Sequence, residues 1–191
     1  DLDASKFKKT LNGYIKLNVF FENSTRTRVS FELAGRRLGA EVINISVDKS
    51  SIKKGESLLD TANTLSAMKP NLLIVRHPEC GAPKLFSDYL NCSIVNAGDG
   101  RHEHPTQALL DALTIRRRLG RLEGIKIAIC GDIVNSRVAR SNIHLLTTLG
   151  VEVRCIAPPT LMPQKLENLG VECFYNLKDG INDVDAIMLL R

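Results

Sequence analysis

The run Glu22-Asn23-Ser24-Thr25-Arg26-Thr27-Arg28 carries two hydroxyl–arginine pairs in register, directly after the apolar stretch Val19-Phe20-Phe21. The apolar stretch reads as the end of a buried strand. Val29, Phe31-Glu32-Leu33-Ala34 and Leu38 then open a helix-period pattern. Hydroxyls and guanidinium groups therefore gather at a helix start, where backbone amides lack intrahelical partners and carry partial positive charge. A phosphate suits such a corner: N–H groups and hydroxyls hold its oxygens, and an arginine supplies a bidentate fork. A lone S/T-x-R would be an ordinary N-cap with its basic residue in water. Two such pairs at one strand-to-helix junction favour an anion site.

Other polar runs follow the same logic. Arg76-His77-Pro78 ends the apolar strand Leu72-Leu73-Ile74-Val75, where an arginine either points toward a substrate or sits on the surface before a turn. The loop from Asn96 to Gln107 contains glycines for tight backbone paths and Pro105 at a first helical position. His104 and Gln107 then flank the first turn of that helix, placed to donate to a carbonyl oxygen or to meet an amide. His102, Glu103 and His104 have the HxH spacing of two ligands on a strand. No further His, Cys or carboxylate stands at zinc spacing, so no metal is expected. Gly131-Asp132-Ile133-Val134-Asn135-Ser136-Arg137 follows a strand but lacks G-x-G-x-x-G, and NAD is not indicated. It reads as a βα loop whose Arg137 would suit a carboxylate. Ser51-Ile52-Lys53-Lys54-Gly55-Glu56 is a basic, glycine-containing loop without P-loop spacing. No Ser-His-Asp or Cys-His nucleophile arrangement stands out.

Short apolar runs alternate with helix-period segments along the chain. Strands are expected at 17–21, 42–46, 72–76, 93–96, 125–130, 151–157, 172–174 and 186–190. Helices are expected at 28–38, 57–68, 82–90, 106–119, 136–149 and 163–169, with residues 1–12 reading as a helix end. This alternation predicts α/β architecture: two doubly wound parallel-sheet domains. The turn Gly120-Arg121-Leu122-Glu123-Gly124 places the boundary near residue 120, giving domains 1–119 and 120–191. Ligands of open α/β sheets bind beyond the carboxyl ends of strands, and every notable polar motif falls at such an end. The chain starts at Asp1 rather than Met and stops just after a strand, so it reads as part of a longer protein with its second domain incomplete.

At 191 residues with 43% apolar content, real cores are affordable. The net charge of +5 comes from basic residues scattered at strand ends and helix starts, apart from Arg116-Arg117-Arg118, without interleaved aromatics. That pattern points to small polyanionic substrates rather than nucleic acid. The five cysteines lack CxxC spacing, and Cys130 and Cys155 fall within apolar strands, as free buried thiols in a reducing compartment would. No run approaches the roughly 18 apolar residues of a membrane span, and no signal peptide is visible. A cytoplasmic location is expected.

Phe20-Phe21-Glu22-Asn23-Ser24-Thr25-Arg26-Thr27-Arg28 with Ser30-Phe31-Glu32 resembles the carbamoyl-phosphate signature of the aspartate/ornithine carbamoyltransferase family. His104-Pro105-Thr106-Gln107 resembles its second signature. Ser51-x-x-Lys54-Gly55-Glu56, Arg76-His77-Pro78 and Asn96-Ala97-Gly98-Asp99-Gly100 resemble the aspartate branch. The motifs run in the family's order over essentially the whole chain. The resemblance implies transfer of the carbamoyl group of carbamoyl phosphate to L-aspartate, an early step of pyrimidine synthesis, without metal or organic cofactor. It implies that Ser24, Thr25, Arg26, Thr27, Arg76, His104 and Gln107 hold carbamoyl phosphate. Arg137, Arg191 and Lys54 would hold aspartate, and Arg26, Thr27, Lys54, Arg76, His104 and Gln107 would act in catalysis. It also implies a homotrimer in which Ser51 and Lys54 enter from a neighbouring subunit, with regulatory chains or a dihydroorotase as further partners. The alternatives are an ornithine or other amino-acid carbamoyltransferase, or a catalytically silent scaffold. Arg137 with Arg191 favours an acidic acceptor, and a scaffold would have no need of the intact Ser24–Arg28, Lys54, Arg76, His104 and Gln107.

Overall fold

The structure is a computed structural model that describes residues 8–46 and 57–190. The chain divides into two compact units, Asp1–Gly100 and Arg101–Arg191. The first contains β1 (Ile15–Phe20), α1 (Thr25–Arg37), β2 (Glu41–Ser46), α2 (Leu58–Ala67), β3 (Leu72–His77), α3 (Ala82–Tyr89) and β4 (Ser93–Asp99). Its sheet has the order β2-β1-β3-β4 with every neighbouring pair parallel. Side chains alternate across each strand, so the two faces differ. Leu17 and Val19 of β1, with Leu73 and Val75 of β3, pack against Ala62, Leu65, Ala82 and Phe86 of α2 and α3.

The opposite face, under α1, mixes apolar and polar groups. Phe20, Ile74 and Ala97 pack with Phe31, but Lys16 and Asn18 occupy the same face of β1 and are buried. The Lys16 ammonium donates to the Phe31 carbonyl and lies 5.5 Å from the centre of the Phe31 ring. Asn18 donates to Asn44 at 2.8 Å, Asn44 to Glu32 at 2.8 Å, and Glu32 pairs with Arg36 at 3.0 Å. Gly35 lets α1 approach this layer. A Cβ there would lie 2.7 Å from Val42 Cγ2 and 2.9 Å from Lys16 Cδ.

The second unit contains α4 (Pro105–Leu119), β5 (Lys126–Cys130), α5 (Arg137–Thr148), β6 (Glu152–Ile156), β7 (Val171–Phe174), α6 (Leu177–Gly180) and β8 (Ala186–Leu189). Its sheet, also parallel, has the order β7-β6-β5-β8. Ile127, Ile129, Val153 and Cys155 pack under Ala112 of α4 and Ala139, Ile143 and Leu146 of α5. Ala128, Cys130 and Ile156 face Phe174, Ile181 and Val184 on the other side. Cys130 and Cys155 are buried free thiols, and desolvation pushes Cys155 up to about 12.

The eight expected strands are present with ends shifted by a few residues, and five of the six expected helices form. The sixth, at 163–169, does not. Lys165 is left-handed at φ 58°, which breaks the helix two residues after Pro163, and of the segment only the short 3-10 turn Leu166–Leu169 remains. Residues 8–13 form a turn rather than the end of a helix, with Leu11 donating to the Leu38 carbonyl. Residues 1–7 lie outside the described residues. The compact units part at Gly100/Arg101, whereas the sequence puts the domain boundary near residue 120, because α4 packs beside α5 through Ala112.

Burial drives the Lys16 ammonium down to about 8 from its ordinary 10.5, against the opposing pull of Glu32. Between those values the unfolded chain binds more protons than the folded one, so this residue's destabilisation is relieved as pH rises. The unfolding free energy of the protein relative to Lys16→Met should therefore increase from pH 8 to pH 10, by about 2–3 kcal/mol. Urea unfolding across that range checks it; a difference that stays flat would mean Lys16 remains charged and stably solvated.

Candidate active site

β1 ends at Phe20, and Phe21 N–H extends the ladder by donating to the Arg76 carbonyl at 2.9 Å. The chain bends at Phe21-Glu22, and α1 begins at Thr25, three residues earlier than the apolar period indicates. Thr25, Arg26, Thr27 and Arg28 thus all lie in the first helical turn. Ser24 stands at the N-cap without accepting from a helix amide. Its hydroxyl donates instead to the Thr27 hydroxyl at 2.9 Å. No acidic residue lies in this turn. The result is a helix start whose positive end carries three hydroxyls and two guanidinium groups, with Thr25 and Arg26 exposed.

Arg76 stands beside the end of β1, in register with Phe20. The β3–β4 ladder is irregular there: Val75 pairs with Asn96 but His77 pairs with Asp99, so β4 has one residue more. Such a bulge re-aims a side chain. The Arg76 side chain is only 12% exposed. It donates from Nη1 to the Ala97 carbonyl at 3.1 Å, and Nε lies 2.7 Å from Glu22 Oε1. The following turn is braced by its own polar groups. Glu79 N–H donates to His77 Nδ1 at 2.9 Å, Gly81 N–H to Asp99 at 2.7 Å, and Gly98 N–H to Asn96 at 2.8 Å. The His77 ring also meets Phe21 edge-on at 4.7 Å. His77, Asn96 and Asp99 thus shape the carboxyl edge of the first sheet, and Ser24–Arg28 and Arg76 share that edge.

In the second unit, His104 is the N-cap of α4 and is buried, its backbone N–H donating to the Ser141 hydroxyl at 2.8 Å. Gln107, one turn into α4, donates from Nε2 to Asp111 Oδ1 at 2.9 Å. The other oxygen of Asp111 accepts from Asn142 at 2.9 Å. Arg137 is the first residue of α5, after Ser136, whose hydroxyl accepts from Ala139 N–H at 3.1 Å. The loop before it is tied by Asn135 N–H to Asp132 at 3.0 Å and by Arg101 to Asn135 at 2.8 Å. The structure thus brings His104 and Gln107 alongside the opening turns of α5, where Arg137 begins. His102 is exposed while His104 is buried, and among the described residues no three potential ligands gather as a metal would require. Ser51, Lys54 and Arg191 lie outside the described residues.

Four supporting residues are missing from the sequence reading as partners: Glu22, Asp111, Ser141 and Asn142. Asp111 has a legible signal, since it stands four residues after Gln107 on a helix, a spacing at which amide and carboxylate meet. Ser141 and Asn142 belong to another helix, and nothing local announces their contacts.

The family model described as the carbamoyl-phosphate-binding domain of aspartate/ornithine carbamoyltransferases matches residues 1–117, a span that ends inside α4. An aspartate carbamoyltransferase catalytic subunit from Parvibaculum lavamentivorans is 61% identical over 188 residues, covering 98% of this chain and 58% of that protein. The corresponding subunit from Rhodospirillum rubrum is 58% identical over 188 residues, covering 98% and 59%. The chain therefore spans rather more than half the length of these relatives. The crystal structure of aspartate transcarbamoylase from Trypanosoma cruzi in complex with carbamoyl phosphate and aspartate is 38% identical, with a TM-score of 0.89, covering 100% of this chain and 63% of that one. Two parallel sheets, a hydroxyl- and arginine-rich helix start after the first strand, and a family match across more than half of the sequence agree: the chain belongs to the aspartate/ornithine carbamoyltransferase family.

Proposed function

We propose that this chain is the greater part of an aspartate carbamoyltransferase catalytic subunit: the carbamoyl-phosphate-binding domain at 1–119 and aspartate-binding sequence at 120–191. The observation that supports this most is the 61% identity to a protein bearing that name, maintained over 98% of the chain. The phosphate-suited start of α1 gives the reading its chemistry. The amine of L-aspartate attacks the carbonyl carbon of carbamoyl phosphate, a C–N bond forms, and the C–O bond to phosphate breaks. N-carbamoyl-L-aspartate and phosphate are released. The proton lost by the amine passes to a phosphate oxygen, so the balance needs no covalent enzyme intermediate, metal or organic cofactor.

In this reading Ser24, Thr25, Arg26 and Thr27 hold the phosphate through hydroxyls, guanidinium and helix-start amides. Arg76 adds a second guanidinium. Thr27, Arg76 and His104 donate to the carbonyl oxygen and stabilise the oxyanion as the amine attacks. Gln107 takes the carbamoyl NH2, while Arg137, Arg191 and Lys54 bind the aspartate carboxylates. His104 serves as a donor, not as the general base. Holding two anions together against their repulsion, in attack geometry, supplies much of the rate. The reading extends to a cytoplasmic homotrimer acting early in pyrimidine synthesis, with regulatory chains or a dihydroorotase as further partners. Ser51 and Lys54 enter each site from a neighbouring subunit.

The decisive assay is carbamoyl transfer by the full-length protein with aspartate and ornithine side by side. Aspartate should serve as acceptor; use of ornithine alone would overturn the assignment. Arg26→Ala should weaken carbamoyl-phosphate binding by roughly 3–5 kcal/mol with no loss of thermal stability, because the side chain is exposed. Calorimetry would remove Arg26 from the site if affinity is unchanged. Arg137→Ala should raise the KM for aspartate far more than the dissociation constant of carbamoyl phosphate; equal losses would point to a structural role in the Gly131–Arg137 loop.

Subunit sharing has its own test. Full-length Lys54→Ala and Arg26→Ala homotrimers should each be nearly inactive. Dissociated and reassembled together, they should regain a minority of wild-type sites, read as activity that appears only on mixing. Mixed trimers without activity would place Lys54 in the site of its own chain.

A further inference from the structure

A glutamine side chain has one donating end and one accepting end of nearly the same shape, so its recognition depends on which end faces the ligand. Gln107 has that choice removed. One turn later on α4, Asp111 places Oδ1 2.9 Å from Gln107 Nε2. An ionised carboxylate only accepts, so the NH2 end of Gln107 must be the end turned toward it. The second oxygen of Asp111 is also occupied, accepting from Asn142 Nδ2 at 2.9 Å. Asn142 is fully buried, and the same nitrogen donates to the Val138 carbonyl at 3.0 Å. Both hydrogens of Asn142 are therefore spoken for, and its orientation is settled from within α5. The order runs in one direction: Val138 orients Asn142, Asn142 orients Asp111, and Asp111 orients Gln107.

We propose that Asp111 is a positioning residue that fixes the polarity of Gln107, leaving Gln107 Oε1 as the end presented to substrate. This rests on the reading that Gln107 meets the carbamoyl NH2. An acceptor at that place favours a carbonyl carbon bearing N–H groups, as in carbamoyl phosphate. It gains nothing from the methyl group of acetyl phosphate, which is otherwise of similar shape and charge. Asp111 thereby becomes a determinant of acyl-group specificity without touching the substrate.

Asp111→Asn separates this role from helix packing, because it keeps size and shape. The introduced amide must turn its oxygen toward Asn142, whose NH2 is held by the Val138 carbonyl. Its own NH2 then faces Gln107. Gln107 must present Oε1 to that donor and Nε2 to the substrate, so two donors oppose each other where one hydrogen bond stood. In the full-length protein, calorimetry should show carbamoyl phosphate bound about tenfold more weakly in D111N. Acetyl phosphate affinity should change by less than about twofold, because the methyl group has no hydrogen bond to lose. The double variant Q107E/D111N keeps the total charge of the pair and restores an acceptor facing substrate, so preference for carbamoyl over acetyl phosphate should return.

Equal weakening of both ligands in D111N would show a role in packing only and overturn the proposal, as would unchanged affinity for both. If D111N alone does not fold, a folded Q107E/D111N lacking the carbamoyl preference overturns it equally. Failure of the underlying reading looks different: the unmodified protein would then bind carbamoyl phosphate no better than acetyl phosphate.

Discussion

A parallel strand cannot return through a tight turn, so each must be followed by a crossover, here with helices covering both faces of the sheet. Both sheets of this protein are wholly parallel, and that constraint governs where its chemistry lies. Within each unit all strand carboxyl ends share one edge, and the loops that leave β1, β3 and β5 lead into helices. Ser24–Arg28 leaves β1, Arg76 is the penultimate residue of β3, and Arg137 follows the loop that leaves β5. Residues separated by some fifty positions in the first unit thereby share an edge, because β1 and β3 are neighbours. The chain needs no long loop to gather them; strand order is enough.

The side of the first sheet beneath α1 shows what such positioning costs. A wholly apolar face would have been the simpler way to dock a helix, since burying a charged group without full compensation is expensive. Instead Lys16 sits under α1 with its ammonium on the Phe31 carbonyl, and the Asn18–Asn44–Glu32–Arg36 chain tethers the same helix to β1 and β2. Apolar contacts are non-directional and tolerate sliding, whereas these bonds have defined lengths and partners. The helix they hold is the one whose first turn carries Ser24 through Arg28. Its register relative to the sheet decides where those hydroxyls and guanidinium groups stand.

Much of this order is legible in the amino-acid sequence because the signals are local. Alternating apolar runs and helix-period segments identify eight strands, and residue type at strand ends identifies Ser24–Arg28, Arg76, His104 and Gln107 as candidates. The 163–169 segment fails because a left-handed Lys165 outweighs its apolar spacing. The boundary near residue 120 and the division at Gly100 differ for another reason: α4 precedes a glycine-rich turn in sequence but packs against α5 in space. Such tertiary preference leaves no mark in a short window. Glu22, Ser141 and Asn142 are illegible for the same reason, since each acts on a partner from another element.

Carboxylates beside groups that would bind anions look counterproductive, because each weakens the attraction for a phosphate or an α-carboxylate. In each unit, however, an acid is bonded to a candidate donor: Glu22 to the Arg76 guanidinium, Asp111 to the Gln107 amide. Raw attraction is abundant in a chain of net charge +5; direction is what it lacks. A long cationic side chain at a strand end samples many rotamers, and ordering it on substrate binding carries an entropy cost of up to about 2 kcal/mol. A partner that orders it beforehand removes much of that cost, and an acceptor-only partner also decides which end of an amide is shown. In the proposed reading Glu22 therefore trades some anion affinity for pre-organisation of Arg76, which favours a reaction that depends on holding reactants in one geometry.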